Sequence, residues 1–141
     1  MSTIIELADA MVNELNGGTF SQPLTAIRYY LPRFELPEMA TLHVSVVPKG
    51  IVVEPATRSQ GQYDYQLDLA VQQRYSAEPA DLDSLMALSE ELADYLRFRR
   101  LGDYPTARWL RTKHEVIYHP EHLEQLRQFT SLLTVTYRLL R

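Results

Sequence analysis

The chain has no cysteine. That excludes disulfide scaffolds, thiol nucleophiles, cysteine zinc sites and cysteine-ligated iron–sulfur clusters. It fits a reducing compartment. No run of about 18 apolar residues occurs, the length a membrane-spanning helix needs, so a membrane partner is not expected. A basic leader is also missing. The start, Met1-Ser2-Thr3-Ile4-Ile5-Glu6, reads as no signal peptide. Glycine is sparse, and Gly17-Gly18 lacks the phosphate-loop pattern and its lysine. The serines have no G-x-S-x-G context, and no H-E-x-x-H arrangement is present. Lysine is nearly absent, with 2 Lys against 12 Arg. Arginine is the cation enriched at protein interfaces, because its planar fork makes bidentate pairs and stacks on rings.

What remains is an ordinary globular composition. The 141 residues are 45% hydrophobic and 23% charged. They suit a single domain over residues 1–141 that buries a core without metal or disulfide. Ile4, Leu7, Ala8, Met11 and Leu15 fall at helical spacing. Thr3 and Glu6 have capping-box spacing, and Gly17-Gly18 supplies a stop. Leu24 to Leu31 reads as a strand, and Pro32 and Pro37 bracket a loop. Thr41 to Val47 reads as a second strand, broken by Pro48-Lys49-Gly50, with Ile51-Val52-Val53 as a short continuation. Pro55 to Gln62 is polar and aperiodic and reads as a mobile loop. Tyr63, Tyr65, Leu67, Leu69, Val71 and Tyr75 alternate with Asp64, Gln66, Asp68, Gln72 and Arg74. This is the pattern of an antiparallel strand with one buried face.

A second helix is predicted from Ala80 or Asp81 to Arg99, on the stripe Leu82, Leu85, Met86, Leu92, Tyr95 and Leu96, with Gly102 and Pro105 ending it. Ala107 to Tyr118 reads as a strand with Leu110, Thr112, Val116 and Tyr118 on one face. Pro120 to Leu126 reads as a short helical turn, and Phe129 to Leu139 as a last strand. The order α-β-β-β-α-β-β predicts an α+β fold, a mostly antiparallel sheet with both helices packed on one face.

Few residues carry chemistry. His114, His119 and His122 form the histidine cluster, without a fourth metal ligand. Glu90, Glu91 and Asp94 lie close on the second helix and read as its solvated side. No metal, cofactor or catalytic residue is expected. Charge is uneven instead. Residues 1–70 and 71–96 sum to −4 and −5, and residues 97–141 to +5. The basic block Arg97-Phe98-Arg99-Arg100, with Arg108, Arg111 and Lys113, is the candidate partner surface. Arg58 is the single charge of the polar loop and a second candidate contact.

The element order and several segments resemble the tail terminator (tail completion) proteins of long-tailed bacteriophages and prophages. The resemblance rests on the first helix leading straight into a strand and on Thr57-Arg58-Ser59-Gln60-Gly61 followed by the alternating run from Tyr63 to Val71. It rests also on the helix Asp81–Arg99 and on the end, His119-Pro120-Glu121-His122-Leu123 through Phe129-Thr130-Ser131-Leu132-Leu133-Thr134-Val135-Thr136-Tyr137. It implies a non-enzymatic virion subunit without cofactor, assembled in the host cytoplasm. Its partners would be further copies in a hexameric ring, the tail tube protein, a head–tail connector, and DNA passing passively through the ring. The ring would cap the head-proximal tube end, stop polymerisation and offer the surface for head–tail joining. Arg58, Arg97, Arg99, Arg100, Arg108 and Arg111 would then be interface candidates. Other readings are a different neck protein such as a head–tail connector, a cytoplasmic homo-oligomeric interaction domain, or a small enzyme using the His/Asp/Glu set.

Overall fold

Hydrophobic periodicity decides the first element. In the computed structural model, which describes residues 2–30, 41–74, 79–118, 120–122, 124 and 128–141, helix α1 runs Thr3–Asn16 and buries Leu7, Ala8, Ala10, Met11 and Leu15. The capping box between Thr3 and Glu6 does not form. The helix starts one residue earlier than that pairing requires, so Ser2 is the N-cap, with no side-chain cap bond. Thr3 Oγ1 instead accepts a hydrogen bond from the Arg141 guanidinium at 3.4 Å. Gly17 has ordinary right-handed φ. Gly18 is needed for space, since a Cβ there would lie 2.9 Å from the rings of both Phe20 and Tyr95, which meet edge to face.

The strands are β1 Ala26–Arg28, β2 His43–Pro55, β3 Gly61–Arg74, β4 Arg108–Val116 and β5 Gln128–Leu140, with helix α2 Pro79–Leu96 between β3 and β4. Their order in the sheet is β1-β2-β3-β5-β4. Only β1 and β2 pair in parallel. The sheet is therefore mixed and mostly antiparallel, and the element order is the one expected. β1 is shorter than its apolar pattern, because Asn16 holds its first residue. The Asn16 side chain donates to the Ala26 carbonyl and accepts from the Ala26 N–H, at 3.1 and 2.7 Å. The expected strand end at Leu31, the loop Arg33–Leu36 and Tyr75 lie outside the described residues.

Two expectations fail in β2. Pro48-Lys49-Gly50 does not end the strand. A bulge between Pro48 and Gly50 absorbs the irregularity, and such a bulge bends a ladder without breaking it. Pairing then continues to Pro55 opposite Gly61, which leaves only 56–60 as a turn. That turn is closed by its own hydrogen bonds. Ala56 and Thr57 donate backbone bonds to Gln60 O, and Thr57 Oγ1 accepts from the N–H groups of Ser59 and Gln60. Local side-chain bonds of this kind fix a polar turn that has no apolar burial to hold it.

The core lies between one sheet face and both helices. β3 contributes Tyr65, Leu67, Leu69 and Val71, and β5 contributes Phe129, Leu133, Val135 and Tyr137. These are cross-strand partners, Tyr65 with Tyr137, Leu67 with Val135 and Leu69 with Leu133. Leu7, Met11 and Leu15 of α1 and Leu85, Leu88, Leu92 and Leu96 of α2 cover them. β4 does not keep the simple alternation expected of it. Bulges at Trp109/Arg111 and His114/Val116 shift its register twice, so Trp109, Thr112 and His114 stand opposite the inward Tyr137, Val135 and Leu133. The outer face is polar at Asp64, Asp68, Thr134 and Thr136, yet Ser45 and Ala70 at its centre are also fully buried.

Leu69→Asp places a carboxylate in this dry layer, and the expected loss is about 3 kcal/mol or more. The variant should fail to give a soluble, cooperatively melting protein; a normal thermal transition would contradict the register described here.

Candidate functional site

The end of α2 sets up the most distinctive surface of the molecule. The helix stops at Leu96, three residues before the predicted Arg99. Gly102 is not its terminator. Phe98 takes the left-handed position, with φ 58, and the Arg99 N–H closes back on Leu96 O at 3.0 Å. Glycine is the inexpensive residue at such a cap, and a side chain there costs roughly 1 kcal/mol. Gly102 serves another role: its N–H donates to Glu14 Oε1 at 2.8 Å.

The reversal at Phe98 sorts the basic block. Arg99 turns inward. Its guanidinium lies 3.8 Å over the Tyr95 ring, donates to Tyr95 O at 3.0 Å and pairs with Glu14 Oε2 at 3.2 Å. Arg97 and Arg100 stay exposed. Phe98 is 79% exposed, packs edge to face on Trp109 at 5.0 Å and carries the Arg97 guanidinium over its own ring. Trp109 is held by its indole N–H, which donates to Thr112 Oγ1 at 2.9 Å. Phe98 and Trp109, with Arg99, Arg100, Ala107, Arg108 and Leu110, line an open groove of about 400 Å³.

Arg108 and Arg111 project from the start of β4. Arg108 stands directly opposite Arg138, and Arg138 is committed elsewhere. Its Nε and Nη2 donate to the two oxygens of Asp64 at 2.8 and 3.1 Å. That fork holds the Asp64 carboxyl below its ordinary value, with a weaker contribution from Arg111. Further along, Lys49 bridges Asp68 and Glu115. Arg58 sits on the β2–β3 turn, at the end of the sheet where β4 begins. The structure thus gathers Arg99, Arg100 and Arg108 at the groove, with Arg99 also tied to Glu14 and Tyr95, and leaves Arg97 over the Phe98 ring, Arg111 further along β4 and Arg58 on the β2–β3 turn. Phe98 and Trp109 complete the groove and were not singled out by sequence reading. The available signal was a phenylalanine between arginines just past a helix, with no glycine to turn the chain.

The other candidates disperse. Glu91 accepts from both the N–H and the hydroxyl of Ser21, whereas Glu90 and Asp94 face solvent. His122 bonds Thr130 Oγ1, and His119 lies outside the described residues. Among the described residues no group of three His, Asp or Glu side chains is placed to hold a metal ion. His114 Nε2 lies 2.7 Å from Ser131 Oγ. The Ser131 hydroxyl spends its proton on Val116 O, so His114 Nε2 is the donor in that contact. Burial lowers the His114 pKa from its ordinary 6.5, against a weaker opposing effect of Glu90.

No protein-family model matches the chain, and no curated protein matches it.

Two measurements follow from these side chains. Because the folded state holds His114 neutral, the unfolded chain binds the extra proton as pH falls below 6.5, and stability falls with it. The melting temperature should drop between about pH 7.5 and about pH 5.5, and His114→Gln should flatten that slope. Asp64 acts lower, its contribution being present above its ordinary 3.8 and lost as pH falls through its depressed value. Separately, Arg99→Ala should cost about 1 kcal/mol, while Arg100→Ala leaves the melting temperature unchanged. Equal effects would contradict the inward assignment of Arg99.

Proposed function

We propose that this chain is a non-enzymatic ring subunit of the tail terminator kind. In this reading the ring caps the head-proximal end of a phage tail tube, stops its growth and presents the head-docking surface. The observation that carries the reading is the open outer edge of β2 beyond its bulge. β1 covers β2 only from Val44 to Val46, and from Pro48 to Pro55 the outer edge of β2 has no partner strand among the described residues. That stretch exposes Ile51, Val52 and Val53, at 47, 45 and 56%. Soluble proteins guard such edges with charge, proline or a covering segment. Here the bulge, Pro48, Lys49, Glu54 and Pro55 flank the edge and leave Ile51–Val53 as a short apolar window, which suits side-chain contact with a neighbour. Partners in this reading are other copies, the tube protein and a connector, with a site in the virion at the head-proximal tail end and assembly in the host cytoplasm. DNA would pass through the ring without specific contact. Arg58, on the β2–β3 turn, would in this reading be a contact for a partner at the same end of the sheet.

Negative-stain microscopy tests this directly. The purified protein should form rings, and tail tubes lacking their terminator should acquire a cap at one end when it is added. Rings that bind connectors but leave tubes uncapped would favour another neck role. Monomers that ignore tubes would reduce the chain to an interaction domain.

A further inference from the structure

The groove at the end of α2 has a matching surface on the same helix. Asp83, Ala87, Glu90 and Asp94 are all exposed, and their spacing puts them on one outer stripe. Asp83, Glu90 and Asp94 take no hydrogen bond or ion pair among the described residues, and neither do Arg100 and Arg108. The two charge sets are complementary. They lie along one rigid helix and just beyond its end, so a chain cannot fold its own stripe into its own groove.

We propose that these are the two halves of a head-to-tail contact between copies of this chain, the acidic stripe of one copy seated in the Arg100–Arg108 groove of the next. This deepens the ring reading above and rests on it for closure of the assembly. Phe98 is the apolar anchor. Its ring is held outward by a left-handed backbone and braced by Trp109, and it meets the stripe at Ala87, where a small side chain leaves room between the carboxylates. Strain retained at an exposed aromatic is a feature of binding sites rather than of stable surfaces. The arrangement is heterologous, one patch against a different patch, which is the type of contact that generates rings or filaments. Trp, Phe and Arg are also the residues that concentrate binding energy at such contacts. A second copy fits better than a nucleic acid, because the chain is acidic overall and supplies the complementary charge itself.

Sedimentation velocity at low and high salt decides it, with circular dichroism confirming that each variant is folded. Wild type should self-associate at low salt and dissociate at high salt, since exposed pairs are screened. Arg100→Glu/Arg108→Glu and Asp83→Lys/Glu90→Lys should each sediment as monomers. An equimolar mixture of the two should reassemble, because each reversed patch then finds its complement. Phe98→Gly relieves the strained backbone, so it should melt within a few degrees of wild type while associating at least about tenfold more weakly. A monomeric wild type, variants that keep the wild-type assembly, or monomers that stay apart on mixing would each overturn the contact. So would a fluorescent single-stranded oligonucleotide bound through Arg100 and Arg108 with assembly unaffected. Rings that cap tubes but ignore these substitutions would sink the contact and leave the terminator reading standing. Salt-sensitive assemblies that never cap a tube would do the reverse.

Discussion

Two helices must lie side by side over one sheet face, and a single carboxylate joins their ends. Glu14, in the last turn of α1, accepts from Arg99 Nη1 and from the Gly102 N–H. Its backbone carbonyl accepts the Tyr95 hydroxyl at 2.9 Å. An acid at a helix C-terminus opposes the helix dipole, and the Arg99 guanidinium offsets that cost. Tyr137 lies in the core near this junction. Burial raises its pKa, with Glu14 acting in the same sense, and its hydroxyl has no partner among the described residues. The phenol therefore stays neutral while its ring fills the layer between β5 and the helices.

The same junction explains the outer surface. Drawing Arg99 inward to Glu14 fixes the chain reversal at Phe98, and that reversal throws Arg97, Phe98 and Arg100 the other way. Arg99 itself, its side chain 39% exposed, both makes this clamp and lines the groove. Arg108 joins it because its opposite number, Arg138, is already forked onto Asp64. A guanidinium with no carboxylate left to take is the direct result of that pairing.

The long-range frame was legible because β3 and β5 alternate over most of their length, broken only at positions such as Gln73 and Ser131, and the helices carry apolar stripes. Leu67, Leu69 and Val135 could be assigned to the core on period alone. What escaped were the exceptions to period. Pro48-Lys49-Gly50 marks an irregularity that fits a strand end as well as the bulge it makes, so the full length of β2 is not legible there, and the bulges of β4 at Trp109/Arg111 and His114/Val116 carry no such mark. The loop at 55–62 is shorter than its polar composition suggests, because pairing runs to Pro55 and Gly61 and the Thr57 hydroxyl closes the turn. The site was half legible. Composition located the arginines, but only the left-handed Phe98 separates the internal Arg99 from its exposed neighbours, and no spacing rule encodes that choice.

The position of β5 also governs how the fold can be completed. It is the last strand in the chain, yet it lies between β3 and β4, pairing along nearly the whole of β3. Until residues 128–140 have been synthesised, β4 has no neighbouring strand among the described elements and β3 is paired only with β2. The apolar face of β3 then waits for Leu133, Val135 and Tyr137. Non-local pairing of this kind folds slowly and leaves apolar strand surface open in the meantime. Closure of this core therefore waits for β5, and a nascent copy is at its most adhesive just before that strand arrives.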